Sequence, residues 1–213
     1  MVAASVTPPP TETRRERRKR EVHERILLAA TELFDAQGVA ATTVAEICER
    51  ADVAHKTFFN HFPTRQHLIQ DIAHVALAQL LADIEAVRAE PGSTPERLGR
   101  FFARVADNAE AAGPIHRELL TELIHAAHDE QSGSEQARKI QGAFGALVRD
   151  GRVQGDVDPR TSLDTLTEMV MGAFYVLMFN WAHLEGYPLR RQALAAARFL
   201  GDAMAPAAER RSP

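Results

Sequence analysis

The stretch from Thr42 to Arg65, TTVAEICERADVAHKTFFNHFPTR, decides the fold because a helical pattern stops in its middle and restarts at once. Thr43, with Glu46 three residues later, has the form of a capping box and predicts the start of a short helix. Asp52 stands where the chain must turn tightly, and aspartate tolerates the left-handed backbone conformation. Helical spacing resumes over residues 54–62. The pattern therefore predicts two short helices joined by a tight turn.

The second of these helices has an apolar side and a polar side. At least two of its three phenylalanines are predicted to be buried, as is Cys48 on the preceding helix. The remaining surface carries hydrogen-bond donors, namely His55, Lys56, Thr57, Asn60 and His61. In a helix-turn-helix protein this second helix lies in the major groove of DNA. Helical hairpins with a polar outer face also occur in bundles that never bind DNA, so the spacing alone leaves both interpretations open.

Composition favours an all-α protein. The chain has 213 residues, of which 45% are hydrophobic and only 6% aromatic, with abundant alanine and leucine. Its single cysteine excludes an internal disulfide framework and leaves too few thiolates for a structural zinc site. We find neither a long apolar run nor a secretory signal, and therefore expect a cytoplasmic protein without a membrane span.

The net charge of −4 conceals a local asymmetry. Six of the seven residues from Arg14 to Arg20 are basic, and they follow the disorder-prone stretch SVTPPPTET. This segment is either a solvated tail or an arm that binds DNA phosphates.

The hydrophobic pattern, together with the helix-ending Gly and Pro residues, predicts four parts of the chain. These are a flexible basic arm at 1–20, a helix-turn-helix domain at 21–67, a larger helical domain at 68–206 and a flexible tail at 207–213. In the second part, a first helix is predicted from Glu21, with Gly38 as its C-terminal cap. Long helices are predicted at 66–89, 95–112, 114–128, 135–151, 159–183 and 188–205.

The helix predicted at 159–183 is apolar around nearly its whole circumference between Met169 and Trp181, which is more than one buried stripe requires. Together with the helix at 188–205 it predicts a four-helix interface in a homodimer. An ordinary buried hairpin within one subunit is the alternative.

Apolar and polar side chains predicted near the centre of the larger domain are candidates for a small-molecule pocket. They are Phe102, Val105, Asn108, His116, Leu119, Glu122, Met171, Tyr175, Met178, Asn180 and Trp181. Plain core is the competing interpretation for the apolar members. Glu122, His125 and His128 have a spacing that a divalent metal could use, although a surface cluster explains them more simply. We expect no metal or cofactor, and no catalytic motif supports an enzyme.

Over about residues 22 to 68 the sequence resembles the TetR family of bacterial transcriptional regulators. The order of AA-x-x-LF-x-x-x-G, TTVAEI, A-x-V and T-x-x-x-HF carries the resemblance. It implies that Thr43 caps the second helix beside a phosphate. It also implies DNA contacts by the recognition-helix residues Ala54, His55, Lys56, Thr57 and Phe59, and by Asn60, His61 and Arg65 near the DNA backbone.

Four positions depart from the family pattern. Asp52 and Lys56 each stand where the family commonly has glycine, Ala54 where it has serine, and Phe59 where it has tyrosine. The resemblance implies a homodimeric repressor that binds a palindromic DNA operator and responds to a small, largely apolar ligand. A helical adaptor or architectural protein without an effector is the alternative function.

Overall fold

A computed structural model describes residues 13–111, 117 and 132–206, except for the side chains of 132–134. Within these residues it contains eight helices and no strand, which confirms the predicted all-α fold. The helices are α1 Arg14–Gln37, α2 Val44–Arg50, α3 His55–His61, α4 Arg65–Ala89, α5 Thr94–Ala111, α6 Ser132–Gln154, α7 Leu163–His183 and α8 Leu189–Met204. The helix predicted at 114–128 and the tail at 207–213 lie outside the described residues.

The chain forms two compact units, Met1–Leu68 and Ile69–Pro213. Their boundary falls one residue after the predicted division between 67 and 68. Helix α4 begins in the N-terminal unit and continues through the C-terminal one, so the two units share a continuous backbone helix.

Helix α1 begins at Arg14, seven residues earlier than predicted. The Thr13 hydroxyl accepts a hydrogen bond from the Glu16 backbone N–H at 3.2 Å, and the Thr13 N–H donates to the Glu16 carboxylate at 2.8 Å. This capping box satisfies backbone donors at the helix start. The prediction of a flexible arm through residue 20 is therefore wrong for residues 14–20, which form the first two turns of α1.

The interrupted helix has a local cause. The Thr43 capping box starts α2, and Asp52 adopts a left-handed φ of 51° after its last turn. The Val53 N–H donates to the Cys48 carbonyl at 3.0 Å across this turn. Ala54 is then the N-cap of α3, without a side-chain hydrogen bond. The tight turn allows α3 to leave α2 at a new angle.

Aromatic and aliphatic side chains fill the core of the N-terminal unit. Phe58 and Phe62 are fully buried, as two of the three α3 phenylalanines were predicted to be, and Cys48 is buried as well. Phe34 from α1 and Ile47 from α2 are also inaccessible to solvent. Burial of these side chains fixes the outward face of α3.

A phenylalanine cluster forms the centre of the C-terminal unit. The ring of Phe101 lies 5.2 Å from those of Phe102 and Phe144 and 6.1 Å from that of Phe174, so α5, α6 and α7 meet here. Helix α8 packs chiefly against α5. Gly201 permits this approach because a β-carbon there would lie 2.8 Å from Cβ of Pro95.

Helix α7 begins at Leu163, after the turn at Pro159–Thr161, and is apolar on both sides. One side, which includes Phe174, is buried in the core of the C-terminal unit, while Val176 and Phe179 on the other side are half exposed or more. Leu200 of α8 also lies in the core. None of the described helices is long and apolar enough to cross a membrane.

Candidate nucleic-acid interface

Helix α3 presents an outward polar surface along its length. His55, Lys56 and Asn60 are exposed, and Thr57 is half-buried. Opposite them, Phe58 anchors the helix in the core. The outward side chains include an ammonium group, an amide and an imidazole, which can donate hydrogen bonds to the edges of bases or to phosphates. Ala54 precedes these groups and offers only a methyl contact.

Phe59 places an apolar surface among these polar groups. Its side chain is 46% exposed, and its ring packs edge-on against Phe58 at 5.3 Å and lies 6.3 Å from the ring of His55. An exposed aromatic ring beside base-reading donors can contact a thymine methyl group or a deoxyribose. Because Phe59 lacks a hydroxyl, it cannot donate to a phosphate.

His61 faces α1 more than it faces outward. Its ring lies 5.9 Å from that of His23, which in turn stacks on Phe62 at 4.5 Å. The His61 Nδ1 atom is buried without a hydrogen-bond partner among the described residues. Burial lowers the pKa of His61, with the positive charges of His23 and Lys19 acting in the same direction. His61 thus connects α3 to α1, while its predicted contact with the DNA backbone stays a prediction.

Arg65 also has a role inside the N-terminal unit. Its guanidinium donates to the Val39 carbonyl and lies over the ring of Phe34, 5.9 Å from the ring centre. In this arrangement the side chain fixes the start of α4 against the loop after α1, and its predicted phosphate contact stays a prediction. The sequence pattern could not show this, because Val39 lies 26 residues away.

Thr43 is exposed at the start of α2, but its polar groups are already used. The Thr43 hydroxyl and backbone N–H each donate to the Glu46 carboxylate at 2.7 Å. The N–H bond and then the hydroxyl bond lower the pKa of Glu46. The capping role predicted for Thr43 is thus confirmed, while its contact with a phosphate stays a prediction.

Long-range polar contacts that sequence reasoning missed hold α1 to the rest of the motif. Arg50 on α2 forms an ion pair with Glu32 on α1 at 2.7 Å. Arg25 on α1 donates to the carbonyl of Asp52 in the turn at 3.5 Å. No local pattern predicts these pairs, since each partner has many equivalent charged neighbours in the sequence.

The structure gathers only part of the predicted ligand pocket. Phe102, Val105, Met178 and Trp181 are buried in one apolar core, Met171 packs against it, and Asn180 is half-buried. The guanidinium of Arg117 lies 5.2 Å from the centre of the Trp181 ring. These residues have the apolar character expected of a pocket lining, and equally that of a plain core.

Two of the predicted polar anchors lie elsewhere. The Asn108 amide is exposed and donates to the Asp83 carboxylate at 3.1 Å, and Tyr175 is 39% exposed beside Phe174, so neither points into the buried core. Both are corrections to the predicted lining, and they arise because helical spacing alone cannot show which side of a helix is covered. His116, Leu119 and Glu122 lie outside the described residues.

A groove of about 380 Å³ lies between α4 and α6 and contains none of the predicted ligand residues. It is lined by His74, Leu77, Ala78, Leu81, Glu135, Gln136 and Lys139. Across the described part of the chain, no three His, Cys, Asp or Glu side chains are grouped to hold a metal ion.

The fold and the outward face of α3 define a class: a helix-turn-helix protein with a separate helical C-terminal unit. Residues 26–72 match the family of bacterial regulatory proteins named tetR. The chain belongs to this TetR family of transcriptional regulators through its N-terminal domain. Its relatives are DNA-binding regulators, and it is a regulator of transcription and not an enzyme.

Relatives extend the similarity into the C-terminal unit. The HTH-type transcriptional repressor KstR2 of Rhodococcus jostii is 25% identical over 72% of this chain and 77% of its own length. The repressor Rv3405c of Mycobacterium tuberculosis is 33% identical over 51% of this chain, which spans only 60% of that relative.

Solved structures show the same fold. The FadR repressor of Thermus thermophilus in complex with lauroyl-CoA is 23% identical, covers 85% of this chain and 94% of its own, and gives a TM-score of 0.63. SmeT, the repressor of a multidrug efflux pump of Stenotrophomonas maltophilia, is 17% identical over 87% and 92% of the two chains, with a TM-score of 0.67.

Proposed function

We propose that this protein is a homodimeric repressor that binds a palindromic DNA operator through α3 and is released by a small, largely apolar ligand. The observation that carries the proposal is the outward face of α3, where His55, Lys56 and Asn60 are exposed on a helix whose opposite side is anchored by Phe58. Such a helix can enter the major groove and bring its N-terminal side chains to base edges.

The exposed side of α7 supports the dimer. Met169, Gly172, Val176 and Phe179 follow one another at spacings of three and four, so they form one stripe, which we call the α7 stripe. Its three side chains are 50 to 58% exposed, and a β-carbon at Gly172 would meet nothing within 4 Å. An apolar stripe with a small residue in its middle suits close packing against a second copy.

Phe199 on α8 is a further apolar side chain left in solvent, with 73% of it exposed. A twofold pairing of α7 and α8 would bury these groups in a four-helix arrangement. Dimerisation also suits DNA recognition, since two α3 helices about 34 to 36 Å apart would read the two halves of a palindrome, whereas one seven-residue helix reads few base pairs.

The ligand is proposed to bind at the apolar core between α5, α6 and α7. Four of the predicted lining residues, Phe102, Val105, Met178 and Trp181, belong to that core, and FadR, which has a similar fold, binds lauroyl-CoA. Helix α4 begins at Arg65 in the DNA-binding unit and carries Ile84 and Val87, which are buried in the core of the other. A ligand that binds more tightly to one position of α4 than to another would shift the protein toward the first position. The affinity for DNA would change accordingly.

Selection from a random pool of 40-base-pair duplexes tests the DNA-binding proposal. We expect the wild type to enrich an inverted repeat. The Lys56→Ala variant should enrich repeats in which the base read by Lys56 is no longer fixed in either half-site. The control Lys139→Ala, which removes an exposed lysine from α6, should enrich the wild-type repeat. Enrichment of no sequence by the wild type would refute the proposal.

The ligand proposal is tested on the DNA complex. Acyl-CoA esters of increasing chain length are added to protein bound to the selected duplex, and both DNA release and the melting temperature of the free protein are measured. Compounds that raise the melting temperature should release DNA. Stabilisation without release by every such compound would contradict a coupled site.

A further inference from the structure

The first two turns of α1 carry most of the exposed positive charge of the N-terminal unit. All six basic side chains between Arg14 and Arg20 are exposed, and the segment contains one acidic residue, Glu16, in a chain whose net charge is −4. Because the Thr13 capping box makes these residues helical, each side chain has a definite direction.

Two of these side chains lie on the side of α1 that faces α3. Arg15, Lys19 and His23 are spaced by four residues, so they share one side of the helix. His23 contacts the rings of His61 and Phe62 at the C-terminal end of α3. Lys19 is near enough to act on the His61 imidazole electrostatically. Arg15 is one turn further from the core along the same line.

The opposite side of α1 differs in its partners. Arg17 lies 3.8 Å from Glu21, and Arg20 lies 3.5 Å from Glu24. Within the described residues, neither Arg15 nor Lys19 forms an ion pair with an acidic group. No carboxylate in the described part of the chain therefore competes with an external anion for these two side chains.

We infer that Arg15 and Lys19 form a phosphate clamp, a second DNA-contacting element that neutralises backbone phosphates beside the groove occupied by α3, whatever the base sequence. This inference rests on the proposed function, because it places DNA on the α3 side. A membrane surface suits the segment less well: residues 14–21, RRERRKRE, offer no apolar side chain to insert between lipids.

The salt dependence of binding measures the clamp. Each phosphate neutralised by a cation contributes about 0.9 to the slope of log K against log salt concentration. The double variant Arg15→Gln/Lys19→Gln removes four such cations from a dimer, so the slope should become shallower by about 3 to 4. The change should be the same on the selected duplex and on a scrambled duplex of equal composition, because phosphates carry no sequence information.

Two matched controls remove the same charge elsewhere. Lys139→Gln/Arg149→Gln takes two exposed cations from α6 and should leave the slope unchanged. Arg14→Gln/Arg17→Gln removes two cations from the side of α1 that faces away from α3 and should change the slope by less than half as much. Circular dichroism confirms that each variant keeps its helix content.

An unchanged slope in Arg15→Gln/Lys19→Gln would overturn the clamp, and an equal change in Arg14→Gln/Arg17→Gln would overturn its assignment to these two residues. Failure of the proposed function gives a different result, because the wild type would then show no preference for the selected duplex over the scrambled one. The salt slope measured on scrambled DNA would still test the clamp. Binding to vesicles of phosphatidylserine and phosphatidylcholine is measured in parallel. A loss confined to vesicles would show that the partner is a membrane and overturn the inference.

Discussion

Val176→Asp should separate the two subunits without unfolding either one. Val176 lies on the α7 stripe and is 58% exposed in a single chain, so a carboxylate there remains in water when the subunit is alone. Phe174 on α7 and Leu200 on α8 are unsuitable for this test because both are buried in the core of the C-terminal unit. A charge at either position would unfold the subunit and leave the interface untested.

The expected effect is large. Burying a whole valine side chain stabilises by about 1.5 to 3 kcal/mol, so the exposed part of Val176 contributes about 1 to 2 kcal/mol in each subunit. An unpaired carboxylate in the interface costs several kcal/mol more in each subunit. Since both subunits carry the change, the dimer should lose at least about 6 kcal/mol, which raises its dissociation constant by a factor of about 10⁴ or more.

Val153→Asp is the matched control. Val153 is 86% exposed near the end of α6, on a different helix from the α7 stripe, and takes the same substitution. Sedimentation velocity over a dilution series gives the dimer dissociation constant, and thermal unfolding reports the stability of the subunit. If the two variants have dissociation constants within tenfold of each other and both remain folded, the α7 stripe is not the dimer interface.

Three further predictions concern the fold of the two units. Thr43→Ala removes the capping box of α2 and should lower the free energy of unfolding by about 1 kcal/mol, measured by urea titration; no change would show that the cap contributes nothing. Because burial lowers the pKa of His61 in the folded state, the unfolded chain takes up a proton first as the pH falls below about 6.5. Stability is therefore retained above that pH and lost below it, and His61→Gln should show a smaller fall in melting temperature between about pH 7.5 and pH 5.5; an equal fall would exclude His61 as a source. Gly201→Val should destabilise the C-terminal unit by about 1 to 3 kcal/mol, because even a β-carbon there would lie 2.8 Å from Cβ of Pro95, and an unchanged melting temperature would contradict that packing.

The DNA-binding motif could be predicted because its signals are local. The Thr43 cap and the left-handed turn at Asp52 each depend on a few neighbouring residues, and the burial of Phe58 and Phe62 follows from their helical spacing. Local patterns therefore predicted α2, the turn and α3, together with the outward placement of Lys56.

Contacts between distant segments of the chain could not be predicted from the sequence. Arg65 is predicted to contact a phosphate, and its guanidinium also donates to the Val39 carbonyl within the N-terminal unit. Asn108 has the composition of a pocket anchor, but it pairs with Asp83 on the surface. Neither partner is recognisable before the helices are packed, because many equivalent acceptors exist in the sequence.

The start of α1 differs from the prediction for a different reason. A run of arginines after a proline-rich stretch has the composition of a disordered arm. Arginine also has a high intrinsic helix propensity, and the Thr13 capping box lies just before the run. The prediction of a flexible arm follows from the composition alone. In the structure, the Thr13 cap and the helix propensity of arginine make these residues helical.

The central claim is that α3 reads DNA sequence, and the affinity ratio between two duplexes tests it most directly. Wild-type protein and Lys56→Ala are titrated by fluorescence anisotropy, at one fixed salt concentration, into the selected duplex and into a scrambled duplex of the same composition. The wild type should prefer the selected duplex by about 10³-fold or more. Lys56→Ala should bind the selected duplex about 10- to 100-fold more weakly and the scrambled duplex almost as well as the wild type, since a lost base contact costs about 1 to 3 kcal/mol. A wild-type ratio near one, or an equal loss on both duplexes in Lys56→Ala, would contradict base reading by α3.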